Sequence, residues 1–282
     1  MHYRTLISAV ELQPQLNNPD WVIIDCRFSL ANSEAGSYAY RHGHIVNARY
    51  AHLDKDLSSA ITDTTGRHPL PDFRVLVKKL SAWGVSNQSQ VVVYDDTGGA
   101  FAGRLWWLLR TLGHDNVAVL NGGIQQWQKQ YPVTTQLPRI KTASFCAYLN
   151  DYASLTVRQV EDGIARKFIT LIDARTPERY RGEQEPIDPI AGHIPSALNR
   201  PLQHNLNEQG LFLSPAELRA QFSQLLGITA PESVVHYCGS GVTACHNLLA
   251  MEHAGLQGSK LYAGSWSEWI RNKNRAVAIG KA

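Results

Sequence analysis

The chain has 282 residues, 44% of them hydrophobic and 18% charged, with a formal net charge of +3. This length suggests two domains, since one domain typically takes about 100 to 200 residues. The charge is mild and scattered, which argues against nucleic-acid binding. Residues 1–10 lack the apolar core of a secretory signal, and no stretch approaches the roughly 18 apolar residues of a membrane span. We therefore expect a cytoplasmic protein without a membrane partner.

The chain contains four cysteines, Cys26, Cys146, Cys238 and Cys245. They form no CxxC pair and no metal-like cluster, so neither a disulfide scaffold nor a zinc site is indicated. No other motif calls for a metal ion or an organic cofactor, and we expect neither. A reducing compartment would keep Cys238 as a free thiol.

Short β-branched runs alternate with amphipathic stretches, a pattern typical of a parallel sheet covered by helices. The predicted strands, in chain order, are residues 21–25, 90–94, 118–120, 169–173, 233–237 and 260–262. The clearest predicted helices are residues 102–112 and 243–253, closed by Gly113 and Gly255. Residues 131–155 hold prolines and polar residues without a helical pattern, so we place a domain boundary near residue 140.

The second half of the chain repeats motifs of the first. IIDCR at residues 23–27 returns as LIDAR at 171–175, and GHIVNA at 43–48 returns as GHIPSA at 192–197. VVVYD at 91–95 likewise returns as VVHYC at 234–238. This spacing indicates a duplicated domain and not a solenoid. We predict an N-terminal domain at residues 1–140 and a C-terminal domain at residues 141–282.

The predicted strand at 233–237 leads into a glycine-spaced loop, CGSGVT at residues 238–243, and then into a helix. Glycines let the loop N–H groups turn inward, and the helix dipole adds partial positive charge, so a thiolate at Cys238 is favoured. In the first copy the matching residue is Asp95. We therefore predict that the N-terminal domain is non-catalytic and that the C-terminal domain carries the nucleophile.

Together these motifs resemble the two-domain rhodanese family of sulfurtransferases, in which an inactive rhodanese domain precedes a catalytic one. The matching motifs cover nearly the whole chain and include DAR at 173–175, RYRG at 179–182, GHIP at 192–195, the loop at 238–244 and GSW at 264–266. The resemblance implies an α/β fold of two tandem rhodanese-like domains. Each would be a mainly parallel sheet flanked by helices.

The loop sequence bears on the sulfur donor. Within that family, Arg and Lys after the cysteine accompany thiosulfate preference, whereas Gly followed by Ser or Thr accompanies 3-mercaptopyruvate preference. The uncharged loop here is similar to the second type, which implies sulfur transfer from 3-mercaptopyruvate to a thiol or cyanide through a Cys238 persulfide. A thiosulfate:cyanide sulfurtransferase and a non-enzymatic persulfide carrier or sensor remain the alternatives. The acceptor thiol stays open, with thioredoxin as one candidate partner.

The resemblance also assigns roles to individual residues. Arg179 matches the family position that binds the donor carboxylate, while His68 and Ser240 match positions proposed to polarise or protonate the departing enolate. The loop residues expected to stabilise the thiolate and persulfide through their N–H groups are Gly239, Gly241, Val242 and Thr243. Where some members supply an acid to the histidine, this chain has YAHLD at residues 50–54, which aligns Ala51 or His52 with that acid.

Other cysteine and serine chemistries fit less well. A cysteine phosphatase needs an arginine at position 244, which here is Ala244. A serine hydrolase elbow needs a glycine where Cys238 stands. His44, His193 and Arg175 belong to motifs found in both copies, including the copy without the nucleophile, so we predict structural roles for them.

Overall fold

The β-branched runs of the sequence form parallel strands in the computed structural model, which describes residues 2–281. The chain divides into two units. Unit 1 comprises residues up to Ser59, Leu70–Asn150 and Glu208–Phe212, and unit 2 comprises Ala60–Pro69, Asp151–Asn207 and the chain from Leu213 onward. Residues 60–69, from the first half of the sequence, thus belong to unit 2, and residues 208–212, from the second half, belong to unit 1.

The division between the units lies after Asn150, which differs from the predicted boundary near residue 140. The reason is backbone hydrogen bonding. The N–H of Tyr148 donates to Leu112 O at 3.0 Å, and the N–H of Asn150 donates to Thr111 O at 2.8 Å. These bonds hold the segment to the end of a unit 1 helix.

Unit 1 contains a parallel sheet in the strand order β1-β5-β4-β2-β3. Its strands are β1 (Leu6–Ile7), β2 (Trp21–Asp25), β3 (Arg49–Tyr50), β4 (Gln90–Tyr94) and β5 (Val117–Leu120). Its helices are α1 (Ala9–Leu12), α2 (Ala35–His42), α3 (Leu53–Asp56), α4 (Phe73–Ala82), α5 (Ala102–Thr111) and α6 (Gly123–Gln128). The central strand β4 is buried along its whole length, as its QVVVY sequence requires.

Unit 2 repeats this arrangement with the order β7-β6-β8-β9. Its strands are β6 (Thr170–Asp173), β7 (Leu198–Asn199), β8 (Val234–Tyr237) and β9 (Lys260–Leu261). Its helices are α7 (Val157–Ala165), α8 (Pro177–Arg181), α9 (Pro215–Leu226), α10 (Ala244–His253) and α11 (Ser265–Trp269). A parallel bridge between Ser154 and Leu261 takes the place that β1 has in unit 1.

The predicted α/β class and both parallel sheets are therefore confirmed. Predicted and observed strands agree within one residue at each end, and helices α5 and α10 each differ by one residue from the prediction. The two-residue strands β1, β3 and β7 were not predicted. No helix among residues 2–281 has both the length and the apolar character that crossing a membrane requires.

In both units, a buried Asp–Arg ion pair lies at the carboxyl end of a central strand. In unit 1, Arg27 contacts Asp25 at 2.6 Å and donates to Gly43 O at 2.6 Å. In unit 2, Arg175 contacts Asp173 at 2.7 Å and donates to Gly192 O at 2.6 Å. Both pairs tie a strand end to a following loop, in agreement with the structural role predicted for the repeated motif.

We expect Arg27→Ala to lower the free energy of unfolding of unit 1 by about 3 to 5 kcal/mol, because the buried Asp25 carboxylate loses its counter-ion. Urea denaturation followed by circular dichroism measures this loss. Arg41→Ala is the matched control, since Arg41 is exposed on α2 and its removal should cost less than about 0.5 kcal/mol. Equal effects of the two substitutions would contradict the prediction.

Candidate active site

Cys238 directly follows β8, and its loop leads into the N-terminus of α10. The thiol is buried, with 2% of the residue exposed, and its Sγ accepts a hydrogen bond from the N–H of Gly241 at 3.2 Å. Thr243, the N-cap of α10, makes no side-chain hydrogen bond to the first helical turn. The loop thus directs a backbone donor at the sulfur, and the helix N-terminus adds partial positive charge.

The backbone of the loop is held from the opposite side by the start of α11. Ser265 Oγ accepts from the N–H of Cys238 at 3.1 Å and donates to Tyr262 O at 2.9 Å. The N–H groups of Trp266 and Ser267 donate to the carbonyl oxygens of Cys238 and Gly239 at 3.0 and 2.9 Å. Ser265 has a φ of 56°, a left-handed conformation that few residues other than glycine adopt.

The equivalent loop of unit 1 shows what such a backbone can hold. Asp95 is fully buried, and its two carboxylate oxygens accept N–H groups from Thr97 and Gly99 at 2.9 Å and from Phe101 and Ala102 at 2.8 Å. Four backbone donors therefore surround one anion. The same loop design in unit 2 presents a thiol in place of the carboxylate.

His68 and Ser240 meet within unit 2. His68 Nδ1 lies 2.7 Å from Ser240 Oγ, and both residues are buried. The segment carrying His68 is held close to α11, because the N–H of Arg67 donates to Ser267 Oγ at 3.1 Å. A Cβ on Gly66 would lie 2.4 Å from Gly264 O, so this approach requires glycine.

Arg179, on α8, lies beside the cysteine loop together with Arg67. A Cβ placed on Gly239 would lie 2.8 Å from Nη2 of Arg67 and 3.6 Å from Nη2 of Arg179. Arg179 contacts Glu185 at 2.6 Å and Asp188 at 3.2 Å, and Arg67 also forms an ion pair with Asp188. Two guanidinium groups thus converge on the loop.

The two carboxylates of this network differ electrostatically. Burial alone would raise the pKa of Glu185, but hydrogen bonds from Arg179 and from the N–H of Asp188 outweigh it, so the pKa is lowered. For Asp188, burial raises the pKa and outweighs the opposing effect of Arg67, with the nearby Glu185 charge adding to the rise. Asp188 is thus the carboxylate of this pair that takes up a proton more readily.

The remaining candidates occupy defined places. Val242 is buried, while Thr243 is half-buried at the helix start. His52 belongs to unit 1 and caps α3, where its Nδ1 accepts from the N–H of Asp54 at 3.1 Å, and Ala51 is buried. Among residues 2–281, no group of three or more His, Cys, Asp or Glu side chains could hold a metal ion.

Sequence reasoning brought out Cys238, Ser240, His68 and Arg179, which unit 2 gathers around one loop. It did not bring out three residues that contact the same network or loop: Arg67, Asp188 and Ser265. Ser265 had a detectable signal, since Gly123 occupies its position in the first copy and has a φ of 59°. Arg67 and Asp188 are 121 residues apart in the sequence and gave no such signal.

Comparison with known proteins identifies the fold and its relatives. A family model described as "Rhodanese-like domain" matches residues 8–130 and again residues 156–272. A probable 3-mercaptopyruvate sulfurtransferase of Pseudomonas aeruginosa is 45% identical over 283 residues, covering 98% of this chain and 98% of that protein. Thiosulfate sulfurtransferase of Rattus norvegicus is 34% identical over 281 residues, covering 95% of this chain and 93% of the relative.

A solved structure extends the likeness to three dimensions. The crystal structure of a 3-mercaptopyruvate sulfotransferase from Escherichia coli superposes with a TM-score of 0.80 at 29% sequence identity. The alignment covers 94% of this chain and all of the other. Both duplicated units therefore have counterparts in proteins of this group.

Gly241→Ala should destabilise the protein by about 2 kcal/mol more than Gly210→Ala. Both glycines have a φ of +74°, but a Cβ on Gly241 would lie 2.2 Å from Ala263 O, whereas nothing lies within 4 Å of one on Gly210. Urea denaturation of both variants separates steric overlap from backbone strain. Equal losses in the two variants would show that the loop can move away from Ala263.

Proposed function

The chain belongs to the rhodanese family, and on that premise we propose that it is a 3-mercaptopyruvate sulfurtransferase whose nucleophile is Cys238. The observation that carries the proposal is the buried Cys238 thiol, which accepts a backbone N–H and shares its loop with Ser240, the hydrogen-bond partner of His68. As a sulfurtransferase, the protein takes sulfur from a donor and passes it to an acceptor. Unit 2 is then the catalytic unit, and unit 1 is the non-catalytic copy.

In the first step, the Cys238 thiolate attacks the sulfur of 3-mercaptopyruvate. An Sγ–S bond forms while the carbon–sulfur bond of the donor breaks, and the bonding electron pair leaves on carbon as the enolate of pyruvate. The donor's thiol proton stays on the transferred sulfur, which gives a persulfide. Uptake of one proton converts the enolate to pyruvate.

In the second step, an acceptor thiolate or cyanide attacks the outer sulfur and releases the Cys238 thiolate. The loop supports both steps, because its N–H groups stabilise the anion in a site that excludes water. The analogous loop of unit 1, which holds the Asp95 carboxylate with four N–H donors, supports this assignment. The donors assigned to unit 2 are Gly239, Gly241, Val242 and Thr243.

Ser240 and His68 serve the departing enolate. Ser240 Oγ, 2.7 Å from His68 Nδ1, can donate its proton to the enolate oxygen, and the Nδ1–H of His68 replaces that proton while the other ring nitrogen takes one up from solvent. The resulting enol tautomerises to pyruvate. Arg179 binds the donor carboxylate, for which a planar guanidinium offers paired N–H donors. Its side chain is 16% exposed, so it remains open to a small ligand.

The loop also bears on which donor is used. Residues 239–243 carry no charged side chain, so the loop itself does not neutralise a dianion such as thiosulfate. The 45% identical relative is named for 3-mercaptopyruvate, whereas the rat relative is named for thiosulfate. We assign 3-mercaptopyruvate as the preferred donor, a thiol such as that of thioredoxin as the acceptor, and the reducing cytoplasm as the compartment.

Incubation with 3-mercaptopyruvate in the absence of acceptor should add one sulfur atom to the protein and release pyruvate. Intact-mass spectrometry and a pyruvate assay measure both products. Cys238→Ser should abolish both, because a hydroxyl at this position is a far weaker nucleophile than a thiolate. Cys146→Ser should label like the wild type, since Cys146 is exposed and lies in unit 1.

The same measurement with thiosulfate, following sulfite, tests the donor assignment. Faster sulfite than pyruvate release would make the protein a thiosulfate sulfurtransferase with the same nucleophile. Labelling by neither donor would reject the enzyme and favour a persulfide carrier that receives sulfur from another protein.

His68→Asn and Ser240→Ala should each lower kcat with 3-mercaptopyruvate by about 100-fold, because each breaks the proton relay to the enolate. The double variant should lose little more than the worse single variant, since the two residues act as one unit. Steady-state pyruvate release measures these losses. Ser223→Ala, on the exposed face of α9, is the control and should retain wild-type kcat. Independent, multiplying losses would argue against a shared relay.

A further inference from the structure

Asp188 forms ion pairs with both guanidinium groups that lie beside the cysteine loop, those of Arg67 and Arg179. One carboxylate oxygen pairs with Arg67, and the other lies 3.2 Å from Nη2 of Arg179. The Asp188 side chain is only 3% exposed, whereas those of Arg67 and Arg179 are 24% and 16% exposed. A buried carboxylate of the protein therefore pairs with Arg179, the residue assigned to the donor carboxylate, and with the neighbouring Arg67.

Arg179, Asp188 and Arg67 form the outer end of a row of six alternating positive and negative side chains. Successive ion pairs join its members in the order Asp173, Arg175, Glu185, Arg179, Asp188 and Arg67. Asp173 is fully buried, while Arg67 at the other end is the most exposed member. The three positive and three negative charges cancel, so the network is neutral before any donor binds.

The exposed end of this network lies against the reactive loop. A Cβ placed on Gly239 would lie 2.8 Å from Arg67 Nη2, closer than the 3.6 Å to Arg179. Arg67 is also fixed through its backbone, whose N–H donates to Ser267 Oγ at 3.1 Å. Arg67 and Arg179 are thus both positioned to bind an anion next to Cys238.

We propose that Asp188 determines donor selectivity: its negative charge balances Arg67 and Arg179, so that the site accepts the single charge of a carboxylate and disfavours a dianion. The inference rests on the proposed function. A donor carboxylate adds one negative charge to a neutral, partly buried network, and thiosulfate adds two. Each added charge is repelled by Asp188 at short range in a medium less polarisable than water.

The test is the ratio of kcat/KM for 3-mercaptopyruvate to kcat/KM for thiosulfate. Asp188→Asn removes one negative charge, so the ratio should fall by on the order of tenfold, the effect of about 1.4 kcal/mol. Arg67→Gln removes one positive charge, so the ratio should rise while both donors react more slowly. Asp162→Asn is the charge-matched control, because Asp162 is exposed on α7 and should leave the ratio unchanged.

Opposite shifts in the two variants support the proposal, since a merely loosened network would move both ratios in the same direction. An unchanged ratio in Asp188→Asn, or shifts of the same sign, would overturn it. Should Asp188→Asn fail to fold, Arg67→Gln alone decides: its ratio must rise.

Binding of unreactive anions separates this inference from the proposed chemistry. Isothermal titration calorimetry with pyruvate and with sulfate uses a monoanion and a dianion that do not transfer sulfur. Asp188→Asn should tighten sulfate binding by a larger factor than pyruvate binding. If the wild type forms no persulfide yet sulfate binding tightens in this way, the proposed function fails and the charge selection stands. If persulfide forms and the two anions respond equally, only the selectivity role is rejected.

Discussion

The contact between Asp173 and Arg175 is the constraint on which the site is built. In the register of β6 and β8, Asp173 lies opposite Tyr237, the residue that precedes Cys238. Arg175 also forms an ion pair with Glu185, and its guanidinium carbon lies 4.8 Å from the centre of the Trp266 ring. The backbone N–H of Trp266 in turn donates to Cys238 O. One buried ion pair thus contacts the end of β6, the start of α11 that holds the cysteine loop and, through Glu185, Arg179 beside that loop. Because such a pair is costly to desolvate, its members keep their partners and give the site a fixed geometry.

The two units share this scaffold but use it differently. In unit 1, the Asp25–Arg27 pair is retained, and the loop after β4 closes on the Asp95 carboxylate with four backbone N–H groups. In unit 2, the corresponding loop begins with the Cys238 thiol, and an extended charge network lies beside it. A loop that stabilises an anion through its backbone does not depend on which side chain supplies the anion. The same fold therefore holds a buried carboxylate in one unit and a buried thiol in the other.

The sequence was most informative where a pattern is local. Buried Val and Ile runs predicted the central strands to within a residue, and the glycine-spaced loop singled out Cys238. Strands such as β3 and β7 have two residues each, which is too short for any periodicity to appear. The pairing of Arg67 with Asp188 joins residues 121 positions apart, so only the fold brings them together. Ser265 was only partly predictable. Its counterpart in the first copy, Gly123, indicates a left-handed backbone at this position, but nothing in the sequence indicates the hydrogen bond from the Cys238 N–H to Ser265 Oγ.

The charge around the cysteine loop comes from outside it. Residues 239–243 are uncharged, and the nearby cations belong to the segment containing Arg67 and to the stretch from Arg175 to Arg179. The loop sequence therefore bears on the donor only indirectly. What a bound anion experiences is the sum of those guanidinium groups and the carboxylates that neutralise them. Under the proposed function, a buried carboxylate such as Asp188 sets how much negative charge the site accepts without touching the donor, while the loop stabilises the sulfur anion.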